Sequence, residues 1–416
     1  MGKFDDIRPY EDSEVKGVLQ RLVRDDEFLG FLTLHLFPRL GKVLPPIAKY
    51  MVRSVLKKQT LGIASIGDFQ NAVAEYAERL VSHTMSGFEF SGVDQLKKTQ
   101  AYLFVGNHRD IAGDSMLVDY ALHLSGHETV RIAVGDNLVQ KQFATDLMKL
   151  NKSFFIKRSE EGAKKIYAAL LASSEFIHES LQSGNSIWIA QSEGRAKNGI
   201  DATDPAILKM FALSRRKDDL SQVVCDLNIV PVSIAYEFDP CDLLKAKELD
   251  SIARTGTYQK PSGEDLLSLA KGLGEYKGKV CLKFGSALGL GFDTPEAVAK
   301  EIDRQVLDNL QMFSVNYWAL AVLAGADRNT IAASDLVDAE DALLPLDQTY
   351  FEVWSHVKQL ADLADVAMFE SRLMSCPSNL RLTWLTMHAN PLVNKFRNGA
   401  KNITPYQSQA QAQAQK

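Results

Sequence analysis

Cysteine is scarce in this chain: Cys225, Cys241, Cys281 and Cys376 stand far apart in 416 residues. No two have the spacing of a paired metal-thiolate site, so the expectation is bland thiols in a reducing compartment and no bound metal. A basic excess is missing too. With 47 Lys and Arg against 52 Asp and Glu, the formal charge is −5, which lacks the broad positive footprint that neutralises nucleic-acid phosphates. No nucleic-acid partner is expected, and any anion site must be local. Long apolar runs are also lacking: the longest, FLGFLTLHLF from Phe28 and YWALAVLAGA from Tyr317, fall well short of the roughly 20 residues that span a bilayer. The amino-terminal MGKFDDIRPYEDSEV has no apolar signal core, and Asp6 stands where a myristoylation site would want Ser or Thr. These absences together lead to the expectation of a cytoplasmic protein, soluble or peripheral on the inner face of the cytoplasmic membrane.

What is present is ordinary globular material, with 46% hydrophobic and 24% charged residues, in a length that allows roughly two to three structural units. The rhythm of the sequence divides it into four stretches. Residues 1–90 show helical spacing and are expected to form an N-terminal helical unit. Within it, PPIAKYMVRSVLKKQ sets Lys49, Arg53 and Lys57 beside Ile47, Met51 and Val55. Such a row suits contact with an anionic membrane surface, and equally a solvated face on a helix packed by its apolar side. Residues 91–303 alternate short apolar runs (AYLFVG, VRIAVG, SFFIK, SIWIAQ, IVPVSIAYE, KVCLKFG) with helical patterns. Strands alternating with helices predict an α/β domain with a largely parallel, mixed central sheet flanked by helices. Residues 304–400 return to helical spacing and are expected to be a C-terminal helical extension. The polar low-complexity end, 401–416, is expected to be a disordered tail.

Chemistry-bearing residues cluster where strands should end. GNHRDIAGDS follows the run AYLFV and precedes a helical pattern, so His108 sits in a strand-to-helix turn between Asp110 and Asp114. A neutral imidazole beside a carboxylate is a common device for taking a proton from a hydroxyl; a turn whose Asp and Asn merely cap the backbone is the plainer alternative. SFFIKRSEEG and SIWIAQSEGRAKNG place Lys157, Arg158, Glu193, Gly194, Arg195 and Lys197 after two further strands. Two basic clusters at two strand ends point to one anion pocket, because arginine's planar fork donates two parallel bonds to phosphate. In NIVPVSIAYEFDP, Pro231 near a strand start marks only a strand.

Taken in order, these four blocks resemble the glycerolipid acyltransferase family, which includes glycerol-3-phosphate and lysophosphatidic acid acyltransferases, over about residues 100–240. Asn107, His108 and an aspartate match the first block; Phe155, Ile156 and Arg158 the second; Glu193, Gly194 and Arg195 the third; Ile229 to Val232 the fourth. Two spacings depart from the family's: five residues separate His108 from Asp114 where four are usual, and no residue separates Gly194 from Arg195. Asp114 is the expected partner of His108, with Gly113 absorbing the extra residue through its backbone freedom; Asp110 is the competitor, better suited to local capping.

The resemblance implies transfer of a fatty acyl group from acyl-CoA or acyl-ACP to a hydroxyl of 1-acylglycerol 3-phosphate or glycerol 3-phosphate in phospholipid synthesis. His108 would act as general base, and no cofactor would be bound. Asn107, Arg109, Lys157, Arg158, Glu193, Gly194, Arg195, Lys197 and Pro231 form the expected substrate-binding set. Two other readings stand beside it. One is a lipid-binding protein that keeps the fold without turnover, which the altered spacings favour. The other is a metallophosphoesterase, whose Asn-His element GNHRD resembles; that reading needs an upstream Asp-x-His, and none of the eight histidines sits two residues after an aspartate.

Overall fold

A computed structural model describes residues 2–136, 141–325, 348–361, 366–400 and 403–406. The apolar runs of the middle stretch become strands: β2 (Leu103–Gly106), β3 (Arg131–Gly135), β4 (Ser153–Ile156), β5 (Ile187–Ala190), β6 (Ile229–Tyr236) and β7 (Gly278–Phe284). One further strand, β1 (Met85–Ser91), precedes them, and the seven form one sheet in the order β1-β7-β6-β2-β5-β3-β4. Every neighbouring pair is parallel except β6 and β7. The sheet is therefore largely parallel and mixed, as expected, with β1 and β7 running against the other five. β2 lies at its middle, buried at every position between β6 and β5.

Alternation along β2 separates the two faces of the sheet. Leu103 and Val105 join Ile187, Ile189, Ile229, Ile177 and Phe211 on one side; Phe104 joins Trp188, Val230, Val232, Leu117 and Leu80 on the other. Helix starts follow local chemistry. Ser65 accepts from the Asp68 amide at 3.1 Å to open Ile66–Thr84, and Asp204 and Thr294 each cap a helix whose first residue is proline, where the missing N–H costs nothing. The C-terminal helices enclose a third core around Trp318 and Trp384. The front helices enclose a fourth, around Val15, Leu19 and Leu22, which Phe143 and Leu150 complete.

Three expected boundaries fall elsewhere. The limit at 90 passes through β1, whose segment MSGFEFS is short and only partly buried. The limit at 303 passes through Pro295–Asn309, a helix that packs on β6. The start of the presumed tail is attached: Pro405 bridges Met312 and the Tyr406 hydroxyl donates to Glu89, while 401–402 and 407–416 lie outside the described residues.

The helix Pro45–Thr60 buries Ala48 and Val52 and leaves Ile47, Tyr50, Met51 and Val55 exposed, Tyr50 at 70%, next to Val43 at 75%. Lys49 reaches the Asp26 carbonyl and Arg53 the Asp26 carboxylate at 3.3 Å. Among the described residues no helix is long and apolar enough to cross a membrane. The four cysteines are free.

One buried carboxyl ties the sheet to its helices. Asp119, on the helix Gly113–Leu124, accepts from the Val130 amide at 2.7 Å, and burial pushes its pKa up to about 7. Unfolded, it titrates near about 3.9. The folded state thus binds this proton more tightly, so the group's contribution to stability is complete at low pH and lost as pH rises from about 4 to about 7. Thermal melts of wild type and Asp119→Asn across this range are expected to show a smaller decline in the variant; equal declines would show that Asp119 does not carry the effect.

Candidate active site

β2 ends at Gly106, where a Cβ would come within 3.1 Å of Trp188 Nε1, and the chain turns through residues 107–112 into the helix Gly113–Leu124. In that turn His108 Nδ1 lies 2.7 Å from Asp114 Oδ2. The same oxygen accepts from the Arg109 and Asp110 amides at 2.6 and 3.0 Å, and Asp114 Oδ1 accepts from the Tyr236 hydroxyl at 2.8 Å. Asp114 is only 1% exposed, and four donors compensate its buried charge. An ionised carboxylate only accepts, so Nδ1 carries the ring proton and Nε2 keeps its lone pair. Such a ring can take a proton at Nε2 and hold the resulting charge against Asp114.

Asp110, the competitor, does local work instead. Its Oδ1 accepts from the Ala112 and Gly113 amides at 3.0 and 2.7 Å, its Oδ2 is buried without a hydrogen-bond partner among the described residues, and burial together with Asp114 raises its pKa. Gly113 also departs from expectation. Its φ is not positive; its role is close packing, since a Cβ there would lie 3.0 Å from Asp110 Cγ and 3.1 Å from the Tyr236 hydroxyl.

The loop after β5 is bonded to this turn. Gln191 N donates to the Gly106 carbonyl at 2.8 Å, Ala196 N to the His108 carbonyl at 2.9 Å, and Arg109 pairs with Asp201 while donating to the Ala196 carbonyl at 3.0 Å. Gly194 sits at φ +75, and Arg195 follows with a buried Nη1 that has no hydrogen-bond partner among the described residues. The C-terminal extension grips the same loop: Asn390 and Asn394 donate to the Asn198 and Asp201 carbonyls at 2.7 and 2.9 Å. Gly199, at φ +79, packs where a Cβ would collide with the Met387 carbonyl.

Turn and loop border a cavity of about 540 Å³. His108, Arg158, Glu193, Gly194, Arg195 and Lys197 all line it, while Met116, Ile132, Val134 and Met148 supply apolar wall. Phe69, Val73 and Tyr76 of Ile66–Thr84 add another side, so a front helix contributes directly. Arg158 bonds Glu193 at 3.1 Å on the exposed side, and Lys197 is paired with Glu248.

Four of the expected substrate-binding residues are not on the cavity. The Asn107 amide is occupied by the Ile234 backbone, accepting at 2.8 Å and donating at 3.0 Å. Arg109 is bound by Asp201, and Lys157 pairs with Asp6 in the amino-terminal segment. Pro231 lies inside β6, opposite Val105; its carbonyl takes the Gly285 amide, and β6's ladder with β7 begins only at Val232. The missing N–H therefore points to a side without a strand partner, where proline is tolerated.

Sequence reasoning missed Tyr236, Trp188, Asp201 and the pair of the buried Lys245 with Asp239. Trp188 packs edge-on to His108 at 5.8 Å, and Lys245 Nζ holds the Arg109 carbonyl at 2.8 Å. Only Tyr236 carried a signal: a phenol hydroxyl at the end of a strand that is apolar apart from Ser233.

The arrangement is that of an open α/β enzyme whose site gathers at the carboxyl ends of central strands. Its class has a specific counterpart: residues 87–236 match the model of the acyltransferase family. This segment holds all four motifs and is an acyltransferase domain, in agreement with the motif resemblance, and the metallophosphoesterase alternative is set aside. Among solved structures the chain is similar to the 1-acyl-sn-glycerophosphate (LPA) acyltransferase PlsC from Thermotoga maritima, at 16% identity, covering 67% of this chain and 92% of that one with a TM-score of 0.37. No curated protein matches.

Asn394→Ala tests the grip of the extension on the loop. It leaves the buried Asp201 carbonyl without this donor, a loss of about 1–3 kcal/mol. The expected outcome is a lower melting temperature with faster amide exchange in residues 195–201. Unchanged exchange there would show that the loop holds itself.

Proposed function

We propose that this acyltransferase moves a fatty acyl group from a thioester, acyl-CoA or acyl-ACP, to a hydroxyl of 1-acylglycerol 3-phosphate or glycerol 3-phosphate, as in phospholipid synthesis. The observation that carries this reading is the His108–Asp114 pair on a largely apolar cavity shared with Arg195, whose buried Nη1 has no hydrogen-bond partner among the described residues. His108 Nε2 takes the hydroxyl proton as the oxygen attacks the thioester carbonyl. The tetrahedral intermediate collapses by breaking the C–S bond, and the imidazolium returns the proton to the leaving thiolate. Bond and proton counts balance without a metal, a redox partner or an acyl-enzyme.

Arg195 and Arg158 bind the acceptor phosphate as charge-assisted donors. Arg158 exchanges Glu193 for this ligand, and Glu193, its side chain 71% exposed, is then free to meet an acceptor hydroxyl. Holding both substrates so converts a bimolecular attack into an effectively intramolecular one. The apolar walls take the acyl chain, each buried methylene contributing about 0.8 kcal/mol.

The monoacyl acceptor is the preferred one, because the exposed face of Pro45–Thr60 fits a peripheral protein working at the inner face of the cytoplasmic membrane. Val43, Ile47, Tyr50, Met51 and Val55 are exposed beside a groove whose cations are Lys16, Arg24, Arg53 and Lys57. An apolar face flanked by cations is suited to anionic lipid.

Two measurements test the reading. Thiol release from long-chain acyl-CoA and acyl-ACP, with each acceptor in parallel, is expected to require an acceptor and to fall at least about a hundredfold in His108→Ala, the loss of a general base. Silence of folded wild type with every pair would favour a lipid-binding protein without turnover. Co-sedimentation with vesicles containing anionic phospholipid is expected to drop about tenfold or more in Ile47→Glu/Tyr50→Glu, given the loss of apolar contact. Equal binding would remove this face from membrane contact.

A further inference from the structure

We infer that Tyr236 is a positioning residue: its hydroxyl sets the rotation of the Asp114 carboxylate so that Oδ2 faces the His108 ring. The inference rests on the reading of His108 as general base. Among the described residues Asp114 Oδ2 collects three donors, the imidazole and the Arg109 and Asp110 amides, whereas Oδ1 has the Tyr236 hydroxyl alone, at 2.8 Å. The amides come from the same turn as His108 and move with it. Tyr236 comes from β6, an inner strand between β7 and β2, and is the one donor on a separate rigid element.

The spacing of the turn explains why such a donor is needed. Five residues stand between His108 and Asp114, one more than the family's usual spacing, and the helix begins with Gly113 at its first position. A Cβ at 113 would sit 3.1 Å from the Tyr236 hydroxyl. Gly113 thereby lets the phenol reach the carboxylate across the helix start. Burial and the neighbouring aspartates hold the phenol's pKa well above its usual value, so it stays a neutral donor.

Removing the hydroxyl takes a hydrogen bond from the ionised carboxylate and leaves its charge less dispersed, which favours the imidazolium. The ring of His108 then titrates at higher pH, and the acidic limb of kcat/KM moves up with it. The other charged groups around the pair are Asp110 and Arg109 in the turn, Asp201 from the loop after β5, Asp239 and Lys245 beyond β6, Lys277 before β7, and Arg195 on the cavity. All of these are retained in Tyr236→Phe.

The experiment compares wild type, Tyr236→Phe, Asp114→Asn and the double variant, reading the His108 ring by NMR of protein carrying 15N-histidine, alongside thiol-release kinetics. In Tyr236→Phe the ring titration and the acidic limb are expected to rise by about half a pH unit or more. In the same variant kcat should fall about tenfold or more, with KM for both substrates within about twofold, as for a residue that acts on the base alone. In the Asp114→Asn background the same substitution should change the ring titration no further, because the route through the carboxylate is gone. An unchanged ring titration in folded Tyr236→Phe overturns the inference, and so does an equal shift in both backgrounds. A shifted ring in a protein that releases no thiol with any donor supports the positioning and overturns the acyl transfer. Should Tyr236→Phe not fold, Gly113→Ala pushes a methyl against the same hydroxyl and is expected to raise the ring titration in the same direction; no rise overturns the inference.

Discussion

The buried carboxylate of Asp114 is the interaction on which the site depends. A charge taken out of water is costly unless its oxygens are fully satisfied, and here satisfaction is drawn from three places at once: the imidazole, two amides of the turn and a phenol from β6. Each donor is fixed in turn. His108 and Arg109 present carbonyls that Ala196 N and Lys245 Nζ hold. The shape of the turn, the start of the helix Gly113–Leu124 and the path of the loop after β5 therefore follow from satisfying one anion.

Arg195 is the opposite case. Its Nη1 is buried and has no hydrogen-bond partner among the described residues, a costly state that calls for a physical explanation. Around it the other basic groups are quenched: Lys197 by Glu248, Arg109 by Asp201, Lys157 by Asp6. Charge alone offers five basic candidates in the sequence, Arg109, Lys157, Arg158, Arg195 and Lys197; among the described residues Arg195 alone of these has no ion-pair partner, while Arg158 is paired with an exposed Glu193.

Segments far apart in the chain complete the cavity. The front helix Ile66–Thr84 supplies wall, and the C-terminal helix Arg381–Arg397 holds the loop that carries Arg195. Neither lies within residues 87–236, the span of the acyltransferase domain. The domain's pocket is therefore bounded on one side, and its loop fixed on another, by structure that the domain does not contain.

Much of the fold was legible in the sequence because burial on both faces leaves a continuous apolar run, and β2, β4, β5 and β6 are such strands. β1 was not, since MSGFEFS is partly exposed and pairs only with β7. The four motifs were legible as residue types at strand ends, and so was Asp114 over Asp110, because capping by Asp110 is a local affair that two neighbouring amides already settle. Which side chains face the cavity was not. Asn107, Arg109 and Pro231 stand inside the motifs yet serve the sheet and the loop, and Tyr236 and Trp188 stand in plain strand sequence yet touch the pair at the centre. The sequence by itself determined local states, strand, turn and cap, since these depend on neighbours within a few residues. Only the tertiary structure decided which buried charges find partners, because those partners come from strands and helices separated by tens to hundreds of positions along the chain.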